Sequence, residues 1–329
     1  MLLRSWRLTA AAALILGSPC PSLAQTAAED PVNYPSQPIH IVVPASPGGV
    51  NDIMARLVGQ KLTERLGQPV VVDNKPGAAT ILGTDYVARA RPDGYTLLSA
   101  PMASIAVNPA VYPKLPYAPQ RDFVPISLAA SYPYLLAVSN AAPVGSVREL
   151  IDYTKAHADK SNAGGASTTF QLATELFKQR TGAQIQYVPF KGSNDAIMAL
   201  ISGQLLLSFV DSGPALPQIK SGQFRVLAVT SPARMPSLPD LPTMAEAGIP
   251  GMEVVSWSGF LAPAGTPPAI ATRLQNAIRK ILQDDEIRDR LQALELEPVG
   301  STSEEFGRTI AKDIEKWSAV AKAANVKAE

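Results

Sequence analysis

The sequence predicts an α/β protein of two lobes, each a mainly parallel sheet flanked by helices. Three observations lead there. The chain has 329 residues, too many for one small domain and suited to two of about 150 residues each. Short apolar runs alternate with stretches of helical periodicity, the pattern of βαβ units with right-handed crossovers. Two long extended stretches, 125–139 and 252–262, interrupt the alternation at points where a strand can pass between lobes. Hydrophobic residues make up 46% and charged residues 17% of the chain, enough apolar surface for a core and too little charge for disorder.

The first element is an address. Residues 1–24 read as a secretory signal peptide: Arg4 and Arg7 give a positive start, Leu8 to Gly17 an apolar segment too short to span a bilayer, and Ser22-Leu23-Ala24 a small-x-small cleavage site before Gln25. Pro19 before Cys20 fits a lipoprotein signal poorly, and Arg4 and Arg7 are not the adjacent pair of a twin-arginine signal. Cleavage removes the single Cys and leaves 27 basic against 28 acidic residues, a formal charge of −1. That balance excludes a typical nucleic-acid binder. A mature chain without Cys and with two His excludes a disulfide framework and makes no metal site. No later run offers 18 consecutive apolar residues, so the expected product is an exported, periplasmic protein with no membrane span and no cofactor.

The remaining elements follow in order. Ile39–Val43 is a short apolar strand. Asp52 to Leu66 is helical, with Leu57, Val58, Leu62 and Leu66 on one face and Gly67 as its stop. Val70–Val72 is a strand, about Thr80 to Ala90 a helix, and Pro92-Asp93-Gly94 a turn into strand Tyr95–Ser99. A Pro-rich passage, 109–125, leads into the first crossing. Ser146 and Glu149 form a capping box opening a helix to about His157, and Thr168 and Gln171 repeat that spacing before a helix ending near Arg180. Ile185–Pro189 is a strand, Asn194–Ser202 a helix, and Leu205–Val210 and Arg225–Thr230 are strands. After the second crossing, Thr266-Pro267-Pro268 caps a helix, and the rest is helical. The lobes are expected to interleave, with about 25–126 plus 253–329 in one and 127–252 in the other.

Ligands of open parallel sheets sit beyond the carboxyl ends of the strands. The loops there are Pro44 to Asp52, Lys75 to Thr80 and Ala100 to Ser104 in the first lobe. In the second they are Gly164 to Thr168, Phe190 to Ser193 and Asp211 to Gly213. Several open a helix, whose free N–H groups and positive dipole end suit a carboxylate. Each loop alone also reads as an ordinary turn or cap. The glycine spacing matches neither a Walker A loop nor a dinucleotide fingerprint.

The segments YPSQPIHIVVPASPGGVNDIMARLVGQKL, LGQPVVVDNKPGA, VARARPDGYTLL, YAPQRDFVPIS, VPFKGSNDAI, IKSGQFRVLAVTSPAR, LPTMAEAG and LAPAGTP resemble the Bug (TctC-type) solute receptors across nearly the whole mature chain. The resemblance implies a periplasmic-binding-protein fold of the Venus flytrap, type II, kind that closes on a small carboxylate. It implies that first-lobe loops hold one ligand carboxylate, partly through water, and that the second lobe selects the ligand. Carried over by position, the ligand-binding residues are Ser46, Gly48, Gly49, Asp52, Ala78, Ala79 and Ser104 in the first lobe. In the second lobe they are Ser167, Thr168, Phe170, Lys191, Gly192 and Asp211. The implied partners are the membrane subunits of a tripartite tricarboxylate transporter, or a membrane sensor, with the receptor itself a monomer. This chain departs from the family in having Phe170 where His is frequent and Phe190 where Tyr is frequent. Both changes remove a polar tip and point to a more apolar or aromatic acid than citrate. Asp211 is read either as a partner for a ligand amino group or as structural.

A serine hydrolase is the competing class. Ser167 lies in a strand-to-helix turn, but Thr169 breaks the G-x-S-x-G pattern. His40 and His157 lie within a strand and at a helix end, away from the strand-end loops, so no base is evident for a triad, and Lys191 reads as a cleft residue. The expectation is a receptor and not an enzyme.

Overall fold

The computed structural model describes residues 33–165, 167–190 and 193–327. The expected signal peptide, Lys191 and Gly192 therefore lie outside the described residues. The first lobe begins β1 (Ile39–Val43), α1 (Val50–Leu66), β2 (Val70–Asn74), α2 (Ile81–Ala88) and β3 (Thr96–Pro101). β1 pairs parallel with β2 and β3, as the βαβ pattern requires. All but His40 of β1 is buried, so the apolar run marks the middle of a covered sheet. Gly67 ends α1 in the left-handed region, its N–H donating to the Thr63 carbonyl.

β3 does not run into a plain loop. A π-helical turn, Ala103–Val107, follows and passes directly into the short helix α3 (Asn108–Val111), and a second short helix, α4 (Pro119–Asp122), comes after an intervening loop. β4 (Phe123–Val138) is the first crossing strand. Residues 123–133 pair antiparallel with β9 (Val255–Pro263), and residues 134–138 pair antiparallel with β7 (Leu207–Asp211) and β8 (Arg225–Val229). One strand thus belongs to both ends of a curled sheet, ordered β2-β1-β3-β9-β4-β7-β5-β6, with β8 and β10 (Glu297–Pro298) also on β4. At the far end, β5 (Asn162–Gly165) pairs parallel with β6 (Gln186–Pro189) and with β7. Each lobe is therefore a parallel trio joined to antiparallel crossing strands.

The helices of the second lobe are α5 (Val147–Ala156), α6 (Thr168–Thr181), α7 (Ser193–Ile201) and α8 (Ser212–Lys220). Three details differ from the sequence reading. The Ser146 hydroxyl accepts from the Glu149 N–H, but the Glu149 carboxylate reaches back to the Gly145 N–H, one residue beyond the cap. At α6 the cap is Ser167, and the Thr168 hydroxyl points elsewhere, so no capping box forms there. α8 was not expected. Gly213, Pro214 and Pro217 read as breakers, yet Pro214 falls in the first turn, where an N–H has no helical partner, and only Pro217 removes a bond from the interior.

The C-terminal helices are α9 (Pro268–Leu282), α10 (Asp285–Gln292) and α11 (Ser303–Ala324). α9 buries Ile270, Leu274, Ile278 and Ile281 on one stripe. Thr302 and Glu305 close a reciprocal capping box on α11. α11 buries Phe306 and Trp317 and packs on the π-turn, on α3 and on α6, so it touches both lobes.

Candidate functional site

The loop from β1 to α1 is held from within. Gly48 adopts φ +88, and its N–H donates to the Asp52 Oδ2 at 2.9 Å. Arg56 Nε and Nη2 and Asn74 Nδ2 also donate to the Asp52 carboxylate, at 2.9–3.0 Å. Burial raises the pKa of Asp52, but these four bonds outweigh it and hold the carboxyl below its usual value. Asp52 is thus committed to shaping the loop. Ser46, Gly48 and Gly49 stand at the surface of the turn. Gly49 caps α1 with no side-chain acceptor, so the first-turn N–H groups remain open to water or an anion.

The neighbouring loop opens α2 through three consecutive non-glycine residues at positive φ: Ala78 (+45), Ala79 (+51) and Thr80 (+76). Left-handed backbone costs about 1–2 kcal/mol at each such residue. The surroundings hold it there. An added Cβ at Gly83 on α2 would lie 2.7 Å from the Lys75 carbonyl and 2.8 Å from the Pro44 Cα, so α2 is pressed against both loops. Ser104 lies one turn beyond β3, fully buried. Its hydroxyl donates to the Pro101 carbonyl at 3.0 Å, and its own carbonyl accepts from the Tyr117 hydroxyl at 2.7 Å. The side chain of Ser104 therefore braces the π-turn.

In the second lobe, Gly165, Phe170, Ser193, Ser208 and Asp211 line a small cavity of about 10 Å³, the room one water needs. Gly165 must be glycine, because a Cβ would meet the Phe170 Cβ at 2.6 Å and the Tyr187 Oη at 2.9 Å. Phe170 is 5% exposed and lies against Tyr134, with ring centroids 4.9 Å apart. Phe190 turns instead toward Gly164 and Leu205 in the core of this lobe. Ser167 is partly exposed and caps α6 without a side-chain bond. Asp211 caps α8 likewise. Among the described residues no hydrogen bond or ion pair reaches its carboxylate, and burial pushes its pKa up to about 7. Tyr132 and Tyr134 of β4 stand close enough for the Asp211 charge to raise their own pKa values, on top of the larger effect of burial.

The Thr168 hydroxyl donates to the Asn108 Oδ1 at 2.9 Å, and the Asn108 Nδ2 donates to the Ala79 carbonyl at 2.8 Å. Thr168 and Ala79, expected on opposite walls, are thus joined through a residue that the sequence did not single out. Asn108 precedes Pro109 and reads as a turn residue, and nothing local marks it. His40 pairs with Asp73 on the surface, and His157 stacks on Tyr153. Neither approaches Ser167.

Comparison with known proteins gives the same reading of the chain. The family model described as tripartite tricarboxylate transporter family receptor matches residues 54–326. Protein BugT of Bordetella pertussis is 37% identical over 299 residues, covering 89% of this chain and 91% of that protein. Among solved structures, an R. palustris protein with adipate is 36% identical, with a TM-score of 0.84, covering 89% of this chain and 99% of its own. MatC from Rhodopseudomonas palustris with bound malate is 31% identical, with a TM-score of 0.81, covering 87% and 99%. The periplasmic binding protein BugD is 33% identical, with a TM-score of 0.82, covering 90% and 100%. The matched family is one of receptors and not of enzymes. With the family model matched over residues 54–326 and a relative 37% identical over 299 residues, this chain belongs to the tripartite tricarboxylate transporter family of receptors.

Proposed function

We propose that this chain is an exported receptor that captures a small carboxylate between its lobes and delivers it to a tripartite tricarboxylate-type membrane transporter. The observation that carries the reading is the set of helix starts at parallel strand ends. α1, α6 and α8 begin there without a side-chain cap bond, leaving first-turn N–H groups to hold an anion, whereas the Ile81 and Leu82 N–H groups of α2 are taken by the Ala78 and Gly77 carbonyls. The adipate and malate bound in similar structures support the ligand class. Residues 1–24 serve export and are removed. Residues 25–126 with 253–329 form one lobe and residues 127–252 the other. Among the described residues no helix is long and apolar enough to cross a membrane; in this reading the membrane carrier is a separate protein, as the family description implies.

Phe170, which lines the cavity beside Asp211, favours an apolar or aromatic acid over citrate, because its ring offers no hydrogen-bond partner to a further carboxylate. Native mass spectrometry of the protein taken from the periplasm tests the whole reading. The expected result is an N-terminus at Gln25 and a released carboxylic acid of fewer polar groups than citrate. Tight citrate binding with no affinity for aromatic or aliphatic diacids would sink the ligand preference, and a released non-acid would sink the carboxylate reading.

A further inference from the structure

We infer that Asn108 is a positioning residue that ties the loop opening α2 in one lobe to the first turn of α6 in the other, so that its side-chain amide couples loop shape to lobe approach. Asn108 is fully buried, on α3 immediately after the π-turn. Both ends of its amide are used. Nδ2 donates to the Ala79 carbonyl at 2.8 Å and lies 3.4 Å from the Thr80 Oγ1, within the left-handed run that opens α2. Oδ1 accepts from the Thr168 hydroxyl at 2.9 Å, across the divide between the two ends of the sheet. Only a carboxamide does both, since it presents a donor and an acceptor on one rigid plane.

The two bonds have different consequences. The Ala79 bond lies within the first lobe and survives when the lobes part. The Thr168 bond exists only while they are close. Parting the lobes returns the hydroxyl and Oδ1 to water, so the bond shifts the balance between separated and approached states by the modest net strength of one hydrogen bond. Because Ala78 to Thr80 hold an unfavourable backbone, the same amide that senses the second lobe also steadies the loop that opens α2. The inference rests only on the two-lobed fold. Its failure would leave the carboxylate reading untouched, and the reverse also holds.

The test is small-angle X-ray scattering of the ligand-free protein, with amide hydrogen exchange on the same samples. Thr168→Val removes the hydroxyl at constant shape. It should raise the radius of gyration while leaving the protection of residues 79–84 near that of the wild type. Asn108→Ala should raise the radius of gyration and also lower that protection several-fold. The double variant should be no more expanded than Asn108→Ala alone, and Thr168→Ser should restore the wild-type value. If Asn108→Ala fails to fold, Thr168→Val and Thr168→Ser carry the test. Wild-type scattering from Thr168→Val, an expansion not rescued by Ser, or a double variant more expanded than Asn108→Ala would each overturn the inference.

Discussion

Asp211 shows how much one side chain decides here. Its carboxyl meets no described donor and has a pKa of about 7, so the folded state binds its proton more tightly than the unfolded chain does. Stability contributed by that proton is full below about pH 4 and is lost as pH rises through 7. Asp211→Asn should therefore melt near the wild type at pH 4 and be more stable at pH 8, by on the order of 4 kcal/mol. Equal melting at both values would contradict the burial argument. Binding follows the same logic. Tyr132 and Tyr134 on β4 and Ser193 on α7 surround the group and carry no charge near neutrality. A diacid should bind more weakly as pH rises through 7 and an amino acid more tightly, and Asp211→Asn should flatten both trends in a titration. Asp52 has the opposite environment. Burial raises its pKa, but its four bonds prevail. Asp52→Ala should cost about 2 kcal/mol, because it frees the Gly48 N–H and removes the carboxylate that Arg56 and Asn74 donate to.

At the scale of elements, close packing fixes where the loops stand. Gly83 holds α2 against Pro44 and the Lys75 carbonyl. Gly83→Ala should push α2 outward and destabilise the fold by about 1–3 kcal/mol, read by denaturant unfolding. It should also weaken ligand binding, because the Ala78–Thr80 run moves with α2. The elements that were legible in the sequence are those whose period matches their burial. β1, α1, β2 and β3 alternate cleanly, and α9 shows its stripe. The elements that were not legible depend on partners far along the chain. The π-turn at Ala103–Val107 is held by Tyr117 from across a Pro-rich passage, and α8 forms despite two prolines and a glycine. Thr168 illustrates the limit. Its spacing to Gln171 signals a capping box, but its hydroxyl finds Asn108 instead, a contact over sixty positions that no local rule foresees.

The whole molecule is a curled sheet whose crossing strands, β4 and β9, carry the chain between lobes. α11 spans the same divide: the Gln179 Nε2 on α6 donates to the Val320 carbonyl. The candidate site was legible as loops at strand ends and illegible as contacts. Sequence position puts Ser46, Ala79 and Thr168 forward as candidates, but does not show that Ser104 and Asp52 turn inward or that Asn108 bonds both Ala79 and Thr168. The near-neutral charge fits an anion held by local backbone dipoles without a basic surface. The most direct measurement is a thermal-shift panel of mono-, di- and tricarboxylates on the wild-type protein, with neutral analogues as controls. The account predicts that at least one acid stabilises the protein, by roughly 2.7 kcal/mol at a hundred times its dissociation constant, while its amide does not. Stabilisation by neutral solutes alone, with no response to any carboxylate, would contradict it.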